Sequence, residues 1–255
     1  MVSPRRTLSS CPAPRRQSRP SPREVDSVDL QKAIDYVLDG NAMLFTGAGF
    51  SLGARNGRNS SFRTAGQYAT HLSGELGLPQ GTSLGDAADE YAVVHGTDAL
   101  LAELQQEFTA GTVAPHHEEL AGRPWRRVYT TNYDDVFEKA GVKAGRTYRP
   151  VTLSDDVRRT PKDLPLCVHL NGFVGRLSRD ALLDELKLTE QSYLTASVPT
   201  SPWTASFRED VAAARSVFFV GYSLALLRHI LPRRPGPLHA GRGGDVWPEA
   251  TMGQR

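Results

Sequence analysis

Four short apolar segments, each followed at once by polar or glycine residues, constrain the fold of this 255-residue chain most strongly. Helix-like segments separate them, and strands that alternate with helices are typical of an α/β fold with a parallel sheet. Because the carboxyl ends of parallel strands meet at one edge of a sheet, where ligands bind, the four polar ends should converge. We therefore predict a Rossmann-like α/β domain with a mostly parallel sheet, flanking helices and a helical small lobe. The four segments are Ala42–Phe45, Val128–Thr130, Leu166–Val168 and Val217–Val220.

The first apolar segment leads into a glycine turn, a pattern that predicts a strand, a tight turn and then a helix. Glycines let backbone N–H groups approach a diphosphate closely, and the N-terminus of a helix favours an anion. Leu52 stands where the common dinucleotide fingerprint has its third glycine, so an ordinary dehydrogenase is disfavoured. A plain strand-to-helix turn without a ligand is the alternative. The turn comprises Thr46, Gly47, Ala48, Gly49, Phe50 and Ser51.

The order of three motifs resembles the sirtuin (SIR2) superfamily, in particular the SIR2-like branch of bacterial anti-phage defence proteins. Residues 47–51 resemble its phosphate-binding loop, residues 131–134 its Thr-x-Asn-x-Asp motif, and residues 221–223 its later Gly-x-Ser nucleotide contact. The resemblance extends from about Leu30 to Leu224 and implies a NAD-binding domain in which NAD is the substrate. It implies NAD contacts from Thr46, Gly47, Ala48, Gly49, Phe50, Ser51, Thr131, Asp134, Asn171, Gly172, Gly221 and Ser223.

Asn132 and His169 are the candidate catalytic residues that this resemblance implies. Cleavage of the nicotinamide–ribose bond passes through an oxocarbenium-like transition state, and an amide can both accept from and donate to a ribose hydroxyl or a water. Alternatively, Asn132 caps a helix that begins at Tyr133. A neutral His169 suits a general base, but most sirtuins place this histidine directly before the glycine, where Asn171 stands. The alternative is Asn171 in the catalytic position, with His169 in the core.

Two further residue pairs carry weaker signals. Phe62 and Arg63 resemble the Phe-Arg pair that follows the glycine loop in deacylating sirtuins, but the spacing is loose and we treat the match as coincidence. His116 and His117 precede two glutamates, yet no other ligands have suitable spacing, so a helix start near the surface is favoured over a metal site.

The cysteine content limits the metal chemistry that the chain can support. Cys11 and Cys167 are the two cysteines, too few for a disulfide framework or for the paired Cys-x-x-Cys zinc module that sirtuin deacylases usually carry. We therefore expect no zinc or other metal, a reducing cytoplasmic compartment, and NAD cleavage with water rather than protein deacylation.

Both ends of the chain differ in composition from the middle. Residues 1–24 are rich in Pro, Ser and Arg, and residues 232–255 in Pro and Gly, so both are expected to be unstructured tails. Residues 28–231 are expected to form the NAD-binding domain, with a helical insert at about 62–120. Because Pro232 interrupts the last helical pattern, the C-terminal part of the sheet is expected to be missing. The net-acidic middle argues against a specific nucleic-acid partner, and no segment approaches the ~18 apolar residues of a membrane span.

Three functions stay open at this point. The first is a NAD+ hydrolase related to anti-phage defence, with NAD as its partner and a homo-oligomer or a defence-system sensor as a possible further partner. The second is an inactive remnant that binds NAD or ADP-ribose. The third, which the cysteine content opposes, is a NAD-dependent protein deacylase.

Overall fold

The computed structural model describes residues 29–160, 165–179 and 201–222. Its strands are β1 (Ala42–Thr46), β2 (Arg55–Asn56), β3 (Ala110–Thr112), β4 (Arg127–Thr130), β5 (Arg149–Thr152), β6 (Leu166–His169) and β7 (Ser216–Val220). Five of them form a parallel sheet in the order β5-β6-β4-β1-β7, while β2 and β3 form a small antiparallel pair. The predicted Rossmann-like, mostly parallel α/β architecture is therefore confirmed.

Strand β5 is the element of this sheet that the sequence analysis missed. It contains Pro150, and a proline lacks the N–H group that a sheet ladder needs. Among the strands that the structure describes, β5 lies at the edge of the sheet and pairs only with β6, so the proline is tolerated there. Strands β1, β4 and β6 have apolar runs that are largely buried on both faces, whereas β7 has a four-residue apolar run although it is only partly buried.

The helices are α1 (Leu30–Leu38), α2 (Ala65–Leu76), α3 (Leu84–His95), α4 (Thr97–Phe108), α5 (Pro115–Ala121), α6 (Val136–Lys143) and α7 (Pro202–Ala213). Helices α2, α3 and α4 pack on one another around their own buried cluster, which includes Tyr68, Leu72 and Leu104. They form the predicted helical small lobe. Within the described ranges, no helix is long and apolar enough to cross a lipid bilayer.

Alternation along the central strands produces a separate core on each face of the sheet. Leu44 and Val128 contribute to one buried cluster. Met43 and Tyr129, their neighbours in the chain, contribute to the other, which also contains Trp203 from α7. With both faces covered, the open positions for a ligand lie at the ends of the strands.

Two predicted helix starts are wrong. The glycine turn leads into a four-residue 3-10 helix, Ala48–Ser51, rather than an α-helix, so a long helix dipole does not point at the turn. Helix α6 begins at Val136 instead of Tyr133, because the Asp134 carboxylate accepts the Val136 N–H at 3.1 Å.

Several predictions lie outside the described residues. They concern the tails at 1–24 and 232–255, residue Ser223, and the expected loss of the C-terminal part of the sheet beyond Tyr222.

Candidate active site

A cleft of about 330 Å³ lies where the carboxyl ends of the parallel strands meet the small lobe. The loops that follow β1, β4, β6 and β7 supply one wall, and the start of α2 with the end of α4 supplies the other. The lining residues are Ala48, Ser51, Leu52, Phe62, Arg63, Thr64, Ala65, Gln67, Phe108, Thr131, Asn132, Tyr133, Asp134, Asn171 and Tyr222. Six of the predicted site residues are therefore brought together here: Ala48, Ser51, Thr131, Asn132, Asp134 and Asn171.

A chain of hydrogen bonds joins the two loops that carry most of these residues. The Asn132 side-chain amide donates to the Ser51 hydroxyl and to the Gly47 carbonyl, both at 3.0 Å. The Ser51 hydroxyl in turn donates to Asp134 Oδ2 at 2.7 Å. All three side chains are buried except where they face the cleft. Their orientations are thus fixed before any ligand binds.

Asp134 is the carboxyl group among the residues that line the cleft. Burial disfavours its ionised form more than the hydrogen bonds from Ser51 and from the Val136 backbone favour it, and its pKa rises to about 6. Near neutral pH it is mainly a carboxylate in a poorly solvated position. A group of this kind stabilises positive charge that develops close to it.

Asn132 does not cap helix α6, so that alternative is wrong. Its backbone N–H donates to Thr130 Oγ1 at 3.0 Å, and its side-chain amide is directed at the glycine loop instead of the helix. Its backbone carbonyl accepts from His169 Nδ1 at 2.9 Å. Both peptide groups that flank Asn132 are therefore anchored, and its side-chain amide is held at the cleft wall.

His169 lies behind the cleft instead of in it. It is fully buried, and its second ring nitrogen, Nε2, bonds Glu138 Oε1 at 2.9 Å. Asn171, two residues further along, lines the cleft and donates to the Thr131 carbonyl at 2.9 Å. The geometry therefore does not support His169 as a base that contacts a ribose hydroxyl. It agrees with the alternative in which Asn171 holds the cleft position.

Gly47 and Gly49 serve the packing of two loops against each other, and the expected diphosphate contact stays a prediction. The N–H groups of Gly47 and Gly49 donate to the carbonyls of Val220 and Gly221 at 3.1 and 2.9 Å. A Cβ at Gly47 would lie 2.7 Å from the Gly221 carbonyl oxygen, and Gly221 itself has φ +64°. A glycine is needed at these points because the loops after β1 and β7 touch backbone to backbone.

Other predicted contact residues are placed away from the cleft. Thr46 is fully buried at the end of β1, and Phe50 packs in the core against Phe137. Gly172 has φ +102° in the turn after Asn171, where only glycine fits without strain. These residues shape the loops that hold the lining residues.

Sequence reasoning placed the small lobe over the site but did not assign its residues Phe62 and Arg63 to the cleft. Phe62 and Arg63, treated as a coincidental match, both line it. The Arg63 guanidinium pairs at 2.5 Å with Glu107, which is fully buried, so the cation is fixed at the cleft wall. The match to the Phe-Arg pair of deacylating sirtuins was the sequence signal for these two residues, and it was set aside because its spacing from the glycine loop is loose.

His116 and His117 begin helix α5 as predicted, but His117 is fully buried instead of near the surface. Its Nδ1 accepts the Ala114 N–H at 2.9 Å, and its Nε2 donates to the Phe50 carbonyl at 2.7 Å. These bonds require the neutral ring, and burial lowers the pKa of His117. Through its bond to the Phe50 carbonyl, His117 stabilises the end of the glycine loop.

The part of the chain that carries the β4, β6 and β7 loops of the cleft is similar to a known family. Residues 126–226 match the family model described as SIR2-like domain, which confirms the resemblance over this part of the chain. The chain is also similar to the NAD(+) hydrolase ThsA of Acinetobacter baumannii (strain 532279), with 26% identity over 199 residues. That match covers 76% of this chain and 39% of the relative, so the chain spans well under half of the relative's length.

Proposed function

We propose that this protein is a NAD+ hydrolase that cleaves the bond between nicotinamide and ribose. The hydrogen-bonded set of Asn132, Ser51 and Asp134 at the wall of a SIR2-like cleft is the observation that carries the proposal. The similarity to a relative named NAD(+) hydrolase supports it. NAD is the substrate, and no metal takes part.

In the proposed reaction, the C–N bond to nicotinamide breaks and the ribose carbon gains oxocarbenium character. The Asn132 amide holds the ribose hydroxyls or the attacking water. The Asp134 carboxylate accepts from the nicotinamide carboxamide and stabilises the developing positive charge. Water then forms the new C–O bond and gives up one proton to the solvent, and the electron pair of the broken bond leaves with neutral nicotinamide.

Arg63 is the cation that lines the cleft, opposite the strand loops. We assign it to the phosphates of NAD, because a guanidinium offers several donors in a fixed plane to phosphate oxygens. Its pairing with Glu107 holds that plane in one orientation. The glycine loop then contributes shape and the Ser51 hydroxyl rather than its glycine N–H groups.

Nicotinamide release from NAD by the purified chain tests this function, with Asn132→Ala as the matched variant. Circular dichroism first establishes that both proteins are folded. We expect release by the parent and a loss of about 100-fold or more in the variant, in the range typical of a residue that stabilises the transition state. A folded parent that releases no nicotinamide would refute the hydrolase function.

A second candidate is a domain that binds NAD or ADP-ribose without turnover. The observation that favours it is Asn171, which brings no titratable group to the position at the cleft wall. Calorimetric titration with ADP-ribose separates the two: binding without nicotinamide release supports the second candidate. The shortage of cysteines continues to oppose a deacylase.

We extend the first proposal to a bacterial cytoplasmic enzyme that depletes NAD during anti-phage defence. The resemblance to the SIR2-like defence branch supports this role, as does the low cysteine content of the chain. Phage challenge of bacteria that express the chain or Asn132→Ala, with cellular NAD measured, tests it. Equal survival and equal NAD levels in both strains would exclude the defence role.

A further inference from the structure

A buried pair of titratable side chains lies directly behind Asn132 and is not part of the cleft wall. His169 Nδ1 bonds the Asn132 carbonyl and His169 Nε2 bonds Glu138 Oε1, each at 2.9 Å. His169 is fully buried and Glu138 is 9% exposed. The two side chains come from β6 and α6, so they connect two elements through the Asn132 backbone.

The hydrogen-bonding capacity of these groups fixes how many protons the pair holds. A backbone carbonyl only accepts, so His169 Nδ1 carries a proton. The contact between Nε2 and Oε1 also needs one proton, which sits either on the ring or on the carboxyl group. In both cases the pair is neutral overall, and a neutral pair can be buried at low cost.

The surrounding charges agree with this count. Burial by itself disfavours the imidazolium, but the adjacent Glu138 carboxylate and the Asn132 carbonyl outweigh it and raise the pKa of His169. Asp134, on the loop before α6, adds a further negative charge nearby. Cys167, on β6 itself, stays a neutral thiol because burial raises its pKa well above the ordinary value.

We infer that Glu138 and His169 are positioning residues that set the Asn132 peptide for NAD cleavage. This inference rests on the proposed function. Displacement of the Asn132 carbonyl moves the same residue whose amide contacts Ser51 and lines the cleft. The pair therefore acts on the orientation of that amide in the transition state and leaves Arg63, which we assigned to the phosphates, in place, so its loss lowers kcat more than it raises KM.

A metal ion is the competing explanation for this cluster. Among the residues that the structure describes, Glu138, Cys167 and His169 place one potential ligand atom each within 4.8 Å of one another. A metal would take His169 Nε2 away from Glu138 and would ionise the Cys167 thiol. Metal analysis of the purified protein by mass spectrometry distinguishes the two: a stoichiometric metal overturns the positioning pair.

The test compares two variants in a common Glu138→Gln background, which avoids a buried carboxylate without a partner. Glu138→Gln/His169→Asn retains an N–H donor close to the position of Nδ1, whereas Glu138→Gln/His169→Leu removes it. We expect kcat for nicotinamide release to be about tenfold higher in the Asn variant than in the Leu variant, the effect of about one hydrogen bond, with KM alike. Circular dichroism is measured for all proteins.

Each other outcome has a defined meaning. Equal kcat values in two folded variants would overturn the inference, and equal complete inactivity would indicate that His169 is itself a catalytic residue. If the parent releases no nicotinamide, the proposed function fails separately. The inference is then judged by NMR, because loss of the donor must shift the side-chain amide signals of Asn132 in the Leu variant relative to the Asn variant. Unchanged signals would overturn it.

Discussion

Replacing Asp134 with asparagine should make the protein more stable while it removes activity. Burial raises the pKa of this carboxyl group from 3.8 to about 6, so the folded protein resists its ionisation. A shift of roughly two pKa units corresponds to a cost of about 3 kcal/mol for the ionised form. The asparagine has no such cost, but the hydrogen bond from Ser51 is rearranged, which costs about 1 kcal/mol. The net gain expected near neutral pH is therefore about 2 kcal/mol.

The raised pKa of Asp134 also fixes how the stability difference between the two proteins changes with pH. Between pH 3.8 and about 6, the folded protein holds a proton on Asp134 that the unfolded chain has already released. Stability from this group is therefore fully present below pH 3.8 and is lost as the pH rises through about 6. The advantage of Asp134→Asn should be small in acid, grow across this window and reach a plateau above it.

Urea unfolding followed by circular dichroism, at a series of pH values on both sides of that window, measures the difference. Nicotinamide release from NAD is assayed on the same samples, and we expect it to fall because asparagine carries no negative charge to stabilise the oxocarbenium. A variant that is less stable than the parent at neutral pH, or a difference that does not change with pH, would refute the assignment of a poorly solvated carboxylate.

Three further predictions concern the loops around the cleft. Gly221→Ala should destabilise the fold by about 2 kcal/mol or more in urea unfolding, because its φ is +64° and the new Cβ would lie 2.0 Å from the Phe50 nitrogen. His117→Asn should reduce the loss of stability in acid. Burial lowers the pKa of His117 below 6.5, so its contribution is fully present above 6.5 and is lost as the pH falls from there through the lowered pKa; an unchanged slope would contradict this. Arg63→Gln should raise the KM for NAD more than it lowers kcat in steady-state assays, and an unaltered KM would remove Arg63 from phosphate binding.

The apolar pattern was sufficient to predict the architecture, because it reports burial directly. Strands β1, β4 and β6 are covered on both faces or nearly so, β7 is partly buried, and each of the four contains a short apolar run. The edge strand β5 could not be found in the same way, since its first residues are not buried and it includes Pro150. The convergence of polar residues at one edge followed from parallel pairing alone.

The roles of individual residues were harder to predict from the sequence than the architecture. From the sequence, Gly47 and Gly49 suggested diphosphate contacts, whereas the fold uses them for the approach of the loop that contains Gly221. A helix cap at Asn132 also stayed open as the alternative until the structure showed that the helix begins at Val136 and that the Val136 N–H bonds the Asp134 carboxylate.

The sequence by itself determined the parallel α/β domain, the carboxyl edge of the sheet as the place of the cleft, and the position of Asn132 at that edge. Only the tertiary structure decided which neighbours face the cleft. His169 and Asn171 are two residues apart, and strand periodicity alone does not say which of them reaches a cavity. Helix α6 brings Glu138 against His169, and this long-range contact buries the histidine and leaves Asn171 at the wall. Contacts between residues distant in the chain depend on packing, which no local pattern records.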